Sequence, residues 1–190
     1  MIYIIRHGQT ELNIARVLQG RSNHPLNETG ETQAIEAAKK LADKGIVFDH
    51  VFSSPLIRAV QTARLVSPDN EPVTDDRLIE MDYGKYEGLD LNNLPPEIKF
   101  FFSDFVNNPA PETMEQLPDV VERVGEFLEE IKGLEGNILI STHAIAMKGA
   151  LEYLTPDSNG FYWSKFIGNC AVYAAENDKN GIGVPQEIDL

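Results

Sequence analysis

The chain opens "MIYIIRHGQT" (residues 1–10). Ile2-Tyr3-Ile4-Ile5 carries no polar alternation, so it reads as a strand buried on both faces, the mark of a parallel sheet covered by helices. The run then breaks into Arg6-His7-Gly8. Two polar side chains that are costly to bury, followed by the most permissive backbone unit, place a functional demand at the strand's carboxyl end.

Working outward from this strand, helices and strands alternate. Asn27 or Thr29 suits an N-cap for "ETQAIEAAKKLADKG" (31–45), which sets Ile35, Ala38 and Leu41 on one face and stops at Gly45. "FDHVFSS" (48–54) predicts a strand ending near Ser53, and "PLIRAVQTARLV" (55–66) a helix with Pro55 at its first position. Residues 71–75 suit another short strand. The stretch 89–113, with Pro95-Pro96, Phe100-Phe101-Phe102, Pro109 and Pro111, reads as irregular, within an insertion at about 85–120 that covers the core. Its aromatics read as core of that insertion.

"LPDVVERVGEFLEEIKG" (117–133) spaces Val120, Val121, Val124, Phe127, Leu128 and Ile131 for a helix. "NILIST" (137–142) is a second apolar strand, and it too runs into a histidine, His143. "IAMKGALEYL" (145–154) follows as a short helix, and "NCAVYAAE" (169–176) and "VPQEIDL" (184–190) supply a last strand or two. The expectation is one domain over 1–190, a three-layer α/β/α sandwich with a mainly parallel sheet.

The net charge of -14 argues against nucleic acid and anionic membranes as partners. No apolar run approaches membrane-spanning length, and no basic-flanked leader is seen, so a cytoplasmic protein is expected. A single cysteine, Cys170, excludes an internal disulfide and a cysteine-based zinc site, and reads as a small buried hydrophobe. Helix faces alone do not reveal an oligomeric state.

In open α/β sheets ligands bind beyond the carboxyl ends of the strands. His7 and His143 each end a predicted parallel strand, Arg58 lies in the first turn after another, and Arg6 adjoins His7. Gathering such groups around one concavity is costly unless an anion neutralises them. Arginine suits the forked hydrogen bonding that phosphate offers, and Gly8 would let backbone pass close to that group.

Five blocks in order now carry a family resemblance: "RHGQTELN" (6–13), "QGRSNHPLNETGETQA" (19–34), "SSPLIRAVQTA" (53–63), "EMDYGKYEG" (80–88) and "STHAIAMKGAL" (141–151). Together they resemble the histidine phosphatase superfamily, which includes the cofactor-dependent phosphoglycerate mutases. The resemblance implies a phosphoglycerate mutase-like fold and a phosphohistidine on His7. It further implies that Arg6, Arg58 and His143 hold the phosphoryl oxygens, Glu80 donates the proton, and Asn13 is a further phosphate contact. Gln19, Gly20 and Ala144 fall in the matched blocks as candidate phosphate contacts. That chemistry requires no metal, and no cofactor is expected. An imidazole is a good nucleophile only when neutral, and neighbouring guanidinium charges disfavour its protonation.

Three positions depart from the pattern. Ala144 stands where the family usually has Gly, adding a methyl near the phosphate. Tyr86 replaces a common Trp, a change of packing. "PET" (111–113) matches a Gly-Glu-Ser segment only loosely, leaving Glu112 without a role. Arg16 and Arg21 are either contacts for a second anionic group or solvated surface residues; His24 and His50 are assigned nothing.

The expected activity is hydrolysis of a small phosphomonoester metabolite, compact length and the "YEG" form (86–88) favouring this over a mutase. Two other readings remain. His7, His143 and Glu80 could form a two-histidine, one-carboxylate metal site, which Arg6 and Arg58 oppose by charge. The scaffold could also serve as a non-catalytic phosphate-binding regulator.

Overall fold

The computed structural model describes residues 1–190. Fifteen helices and strands, together with short 3-10 turns, follow one another as β1 (Ile2–Arg6), α1 (Glu11–Ile14), α2 (Glu28–Asp43), β2 (His50–Ser53), α3 (Ile57–Val66), β3 (Val73–Thr74), α4 (Pro96–Ser103), α5 (Leu117–Ile131), β4 (Ile138–Thr142), α6 (Ala144–Leu154), α7 (Phe161–Ser164), β5 (Val172–Ala175), β6 (Asn177–Asp178), β7 (Gly181–Ile182) and β8 (Gln186–Ile188). The main sheet has the order β3-β2-β4-β1-β5-β8. β3, β2, β4 and β1 run parallel, and β5 pairs antiparallel to β1 and to β8.

The apolar opening run works as its composition requires. Ile2 and Ile4 enter one core with Ile138, Ile140, Val124 and Met147, while Tyr3 and Ile5 enter a second with Leu139, Ala37 and Leu41. Successive side chains of a strand point to opposite faces, so a strand apolar throughout must have helices on both sides. α5 and α6 cover the first face, and α2 and α3 the second. This is the three-layer α/β/α arrangement with a mainly parallel sheet.

Several local expectations shift for identifiable reasons. Asn27 caps α2, its side chain accepting from Gly30 N at 2.8 Å. The buried stripe of α2 is Gly30, Ala34, Ala37 and Leu41, leaving Ile35 55% exposed. That rotation follows from Gly30, which lies against the backbone of Gly8 and Gln9. An added Cβ on Gly8 would sit 2.4 Å from Gly30 O, and one on Gly30 would sit 2.1 Å from Gln9 O. The glycine of Arg6-His7-Gly8 is therefore demanded by a backbone crossing with α2, a reason the sequence reading did not include.

Pro55 precedes α3, which starts at Ile57 with Leu56 as N-cap and Ile57 N donating to Asn23 Oδ1. The stretch read as irregular contains α4, with Pro96 in its first turn and Ile98 and Phe101 buried in the core. The β6–β7 hairpin has no counterpart in the sequence expectations; its turn is held by Asp178 Oδ1, which accepts from Asn180 N and Gly181 N. Cys170 is buried, and burial pushes its thiol up to about 12.

Gly8→Ala should cost about 1–3 kcal/mol through overpacking against α2. Denaturant unfolding of the variant checks this, and an unchanged midpoint would contradict the crossing.

Candidate active site

β1 and β4 are neighbours in register, Arg6 opposite Thr142, and His7 N donates to Thr142 O at 2.9 Å. The two strand-end histidines therefore emerge side by side, with ring centroids 5.2 Å apart. Both are buried, at 3% and 0% exposure. His7 Nδ1 lies 2.6 Å from Gly8 O. A carbonyl only accepts, so Nδ1 carries the proton and Nε2 keeps its lone pair.

Arg58, in the first turn of α3, is 1% exposed. Its Nη1 donates to Ser22 O and its Nη2 to Gly20 O, both at 2.7 Å, which binds the 19–22 loop to the guanidinium. Gly20 has φ +51, and a Cβ there would meet Glu87 Oε1 at 2.3 Å. Arg6 Nη1 donates to Ile167 O at 2.5 Å. Arg6 Nε, Arg58 Nε and His143 Nδ1 are buried without a partner in the protein. Unpaired buried polar atoms of this kind cost about 1–3 kcal/mol each; the two arginine nitrogens are donors, and the imidazole nitrogen is a donor or an acceptor according to its tautomer.

Asn13 and Gln19 are held by their oxygens. Asn13 Oδ1 accepts from Thr10 N in a capping box at α1, and Gln19 Oε1 accepts from Thr10 Oγ1. Their amide NH2 groups are thereby left as donors. Asn169, which the sequence reading passes over, donates to His7 O at 2.9 Å and to Asn13 Oδ1 at 3.4 Å. It precedes a strand by a few residues in a stretch without motif character, so only the fold reveals it.

Glu80 is buried, and its carboxylate lies at the N-terminus of α6. Oε1 accepts from Met81 N at 2.9 Å, Ile145 N at 3.1 Å and Ala146 N at 3.0 Å, and Oε2 has a single contact of 3.2 Å to Ile145 N. His143, the N-cap of α6, makes no side-chain cap bond, so Glu80 caps this helix from outside it. Ala144, the first residue of α6, is half-buried beside these groups.

The backbone carrying Glu80 is itself clamped. Arg21 Nε donates to Glu80 O at 3.3 Å, Glu115 Oε2 accepts from Asp82 N at 3.1 Å, and Arg123 Nη1 donates to Arg77 O at 2.7 Å. Glu115 pairs with Arg123 at 2.7 Å and with Arg21 at 3.3 Å. Arg21 is solvent-exposed, as one of its two sequence readings has it, and in addition braces the acid block. Glu115, missed by the sequence reading, is the carboxylate this network uses, whereas Glu112 is exposed. Arg16 is exposed as well, and Tyr86 packs in the core. No group of three or more His, Cys, Asp or Glu side chains is arranged to hold a metal ion.

Burial, then the Arg6 and Arg58 charges, hold His7 well below the ordinary 6.5, with the Gly8 carbonyl opposing. Burial, then Arg58, His7 and Arg6, do the same for His143. Burial lowers Arg58 to about 10, which leaves it charged at neutral pH.

The chain belongs to the histidine phosphatase superfamily (branch 1), whose model matches residues 2–186. A Hydrogenobacter thermophilus protein named as a candidate phosphoserine phosphatase is 30% identical over 177 residues, 90% of this chain and 86% of its own. The Entamoeba histolytica phosphoserine phosphatase, solved with 3-phosphoglyceric acid, superposes with TM-score 0.81 at 25% identity, covering 99% of this chain and 94% of its own. A phosphoglycerate mutase from Thermus thermophilus gives 0.74 at 28% identity, covering 99% of both chains. The protein is accordingly an enzyme of phosphatase or mutase type. No helix is long and apolar enough to cross a membrane.

The histidine shifts predict a pH dependence of stability. Unfolded imidazoles bind protons below about 6.5, whereas the folded ones resist them, so the unfolded state takes up protons first on acidification. Stability is full above 6.5 and drains as pH falls toward the lowered folded values. Urea midpoints measured from about pH 8 to 5 should fall, and less steeply in His7→Gln.

Proposed function

We propose that the protein is a phosphatase that hydrolyses a small phosphomonoester through a phosphohistidine on His7. The observation that carries this reading is the His7 tautomer: Nδ1–H is committed to Gly8 O, so Nε2 is a lone pair among buried, unpartnered donors. Nε2 attacks phosphorus, and the ester P–O bond breaks as the P–N bond forms. The leaving oxygen takes its proton from Glu80, which in this scheme enters the step protonated on its less engaged oxygen, Oε2, having gained that proton in the complex with the dianionic substrate. Water then attacks phosphorus, the P–N bond breaks, Glu80 recovers a proton from that water, and inorganic phosphate departs.

Arg6, Arg58 and His143 stabilise the charge spread over the equatorial oxygens, with Asn13 and Gln19 amides and the Gly20 loop completing the cradle. Ala144 borders it. Neither a metal nor a cofactor has a step in this scheme. Net negative charge elsewhere supports a small soluble substrate, such as the phosphorylated hydroxy or amino acids that the relatives' names indicate, in a cytoplasmic setting.

A mutase is the second reading. The Thermus protein carries the mutase name at the same chain span, so length does not separate the two activities.

The test combines a phosphomonoester panel, scored by phosphate release, with acid-quench and base-quench trapping. The wild type should yield an acid-labile, base-stable phosphoenzyme. His7→Ala should form none and lose at least about 1,000-fold in phosphate release. Glu80→Gln should slow turnover by about 100–10,000-fold. Isomerisation of phosphoglycerates outpacing phosphate release would establish the mutase instead, and a wild type without any phosphoenzyme would refute both. In the wild type, kcat/KM should hold below pH 6.5 and fall only near the lowered His7 value.

A further inference from the structure

His143 and Ser54 are both fully buried, and His143 Nε2 lies 2.7 Å from Ser54 Oγ. Ser54 Oγ also accepts from Leu56 N at 3.3 Å. Unlike the carbonyl that faces His7, a hydroxyl can donate or accept, so the contact alone leaves two tautomers open.

Hydrogen-bond accounting separates them. Were Nε2 to carry the proton, Ser54 Oγ would receive two donors, from Leu56 and His143, and its own hydrogen would have no acceptor. That hydrogen would be stranded in a fully buried site. Nδ1 would then be a bare lone pair, also buried and without a partner. With Ser54 O–H donating to Nε2, the hydroxyl receives one bond and gives one. The single group left unpaired is then Nδ1–H, a donor like the other unpaired nitrogens, Arg6 Nε and Arg58 Nε, of the two arginines whose charges act on this imidazole. An imidazolium would strand the serine hydrogen again, and burial and the neighbouring arginines disfavour that charge.

We propose that Ser54 is a positioning residue that fixes His143 as the neutral Nδ1–H tautomer, so that His143 meets the phosphoryl oxygens through Nδ1 as an uncharged donor. The two histidines then carry the same tautomer for opposite ends. His7 anchors its Nδ1–H on Gly8 and offers the Nε2 lone pair; His143 anchors its Nε2 on Ser54 and offers the Nδ1 proton. Ser54 stands just after β2, the strand beside β4, and Leu56 is the N-cap of α3, the helix of Arg58. One hydroxyl therefore relates His143, between β4 and α6, to the helix that carries Arg58.

The catalytic consequence rests on the phosphatase reading, but the tautomer does not. The test is a 15N–1H correlation spectrum of the 15N-histidine-labelled 190-residue chain, with and without inorganic phosphate. It is joined to kinetics of Ser54→Ala and Ser54→Thr. Wild-type His143 should show a protonated Nδ1 and unprotonated Nε2 at neutral pH, and the Nδ1 resonance should shift when phosphate is added. Ser54→Ala removes the hydroxyl, so His143 should move toward the Nε2–H form that free imidazole side chains prefer. kcat should drop about 10–100-fold with a smaller change in KM, below the loss of a whole donor. Ser54→Thr, which keeps the hydroxyl, should restore the Nδ1–H form and much of kcat. A wild-type His143 protonated at Nε2 would overturn the proposal, as would Ser54→Ala retaining both tautomer and kcat. Should Ser54→Ala fail to fold, the wild-type spectrum and Ser54→Thr decide. A wild type that hydrolyses nothing yet shows the Nδ1–H form would refute the phosphatase reading and leave the tautomer assignment standing.

Discussion

In-register parallel pairing of β1 with β4 is the constraint on which the site depends. The hydrogen bond from His7 N to Thr142 O fixes where each strand stops, and both stop one residue before a histidine. A register slip of one residue would send one imidazole to the opposite face of the sheet. Because the apolar runs of both strands enter two cores at once, such a slip would also displace buried isoleucines and leucines on both faces. The precision of the polar cluster thus comes from apolar packing beneath it.

The cluster gathers like charges and unpaired donors at a cost, and the surroundings offset part of it locally. Arg58 commits two nitrogens to loop carbonyls, Arg6 one to Ile167, and Glu80 places a carboxylate in the neighbourhood while capping α6. What remains is a set of neutral imidazoles and charged guanidiniums at neutral pH. An anion with several oxygens is the partner whose chemistry matches that remainder.

Strand-end histidines, the order of the matched blocks and the three-layer architecture are legible in the sequence because they depend on local composition and on the rule that parallel strands are covered on both sides. What is not legible depends on partners distant in the chain. Glu80 caps a helix 65 residues downstream, by its bond to Ile145. Arg21 meets Glu115 across 94 residues, and no spacing rule on one helix or strand points to such a pair. Gly8 reads as glycine for a ligand's sake, yet the neighbour that excludes its Cβ is Gly30. Ile35 reads as core by helical spacing, but the close crossing at Gly30 sets which stripe of α2 faces inward.

The bonds from Arg58 to Gly20 and Ser22 carry a kinetic meaning. The loop and the guanidinium are already fastened to each other, so this part of the proposed phosphate cradle is assembled before any ligand arrives. On the proposed function, the ordering of loop and guanidinium has been done once, during folding, which lowers the reorganisation that seating an oxyanion would otherwise require.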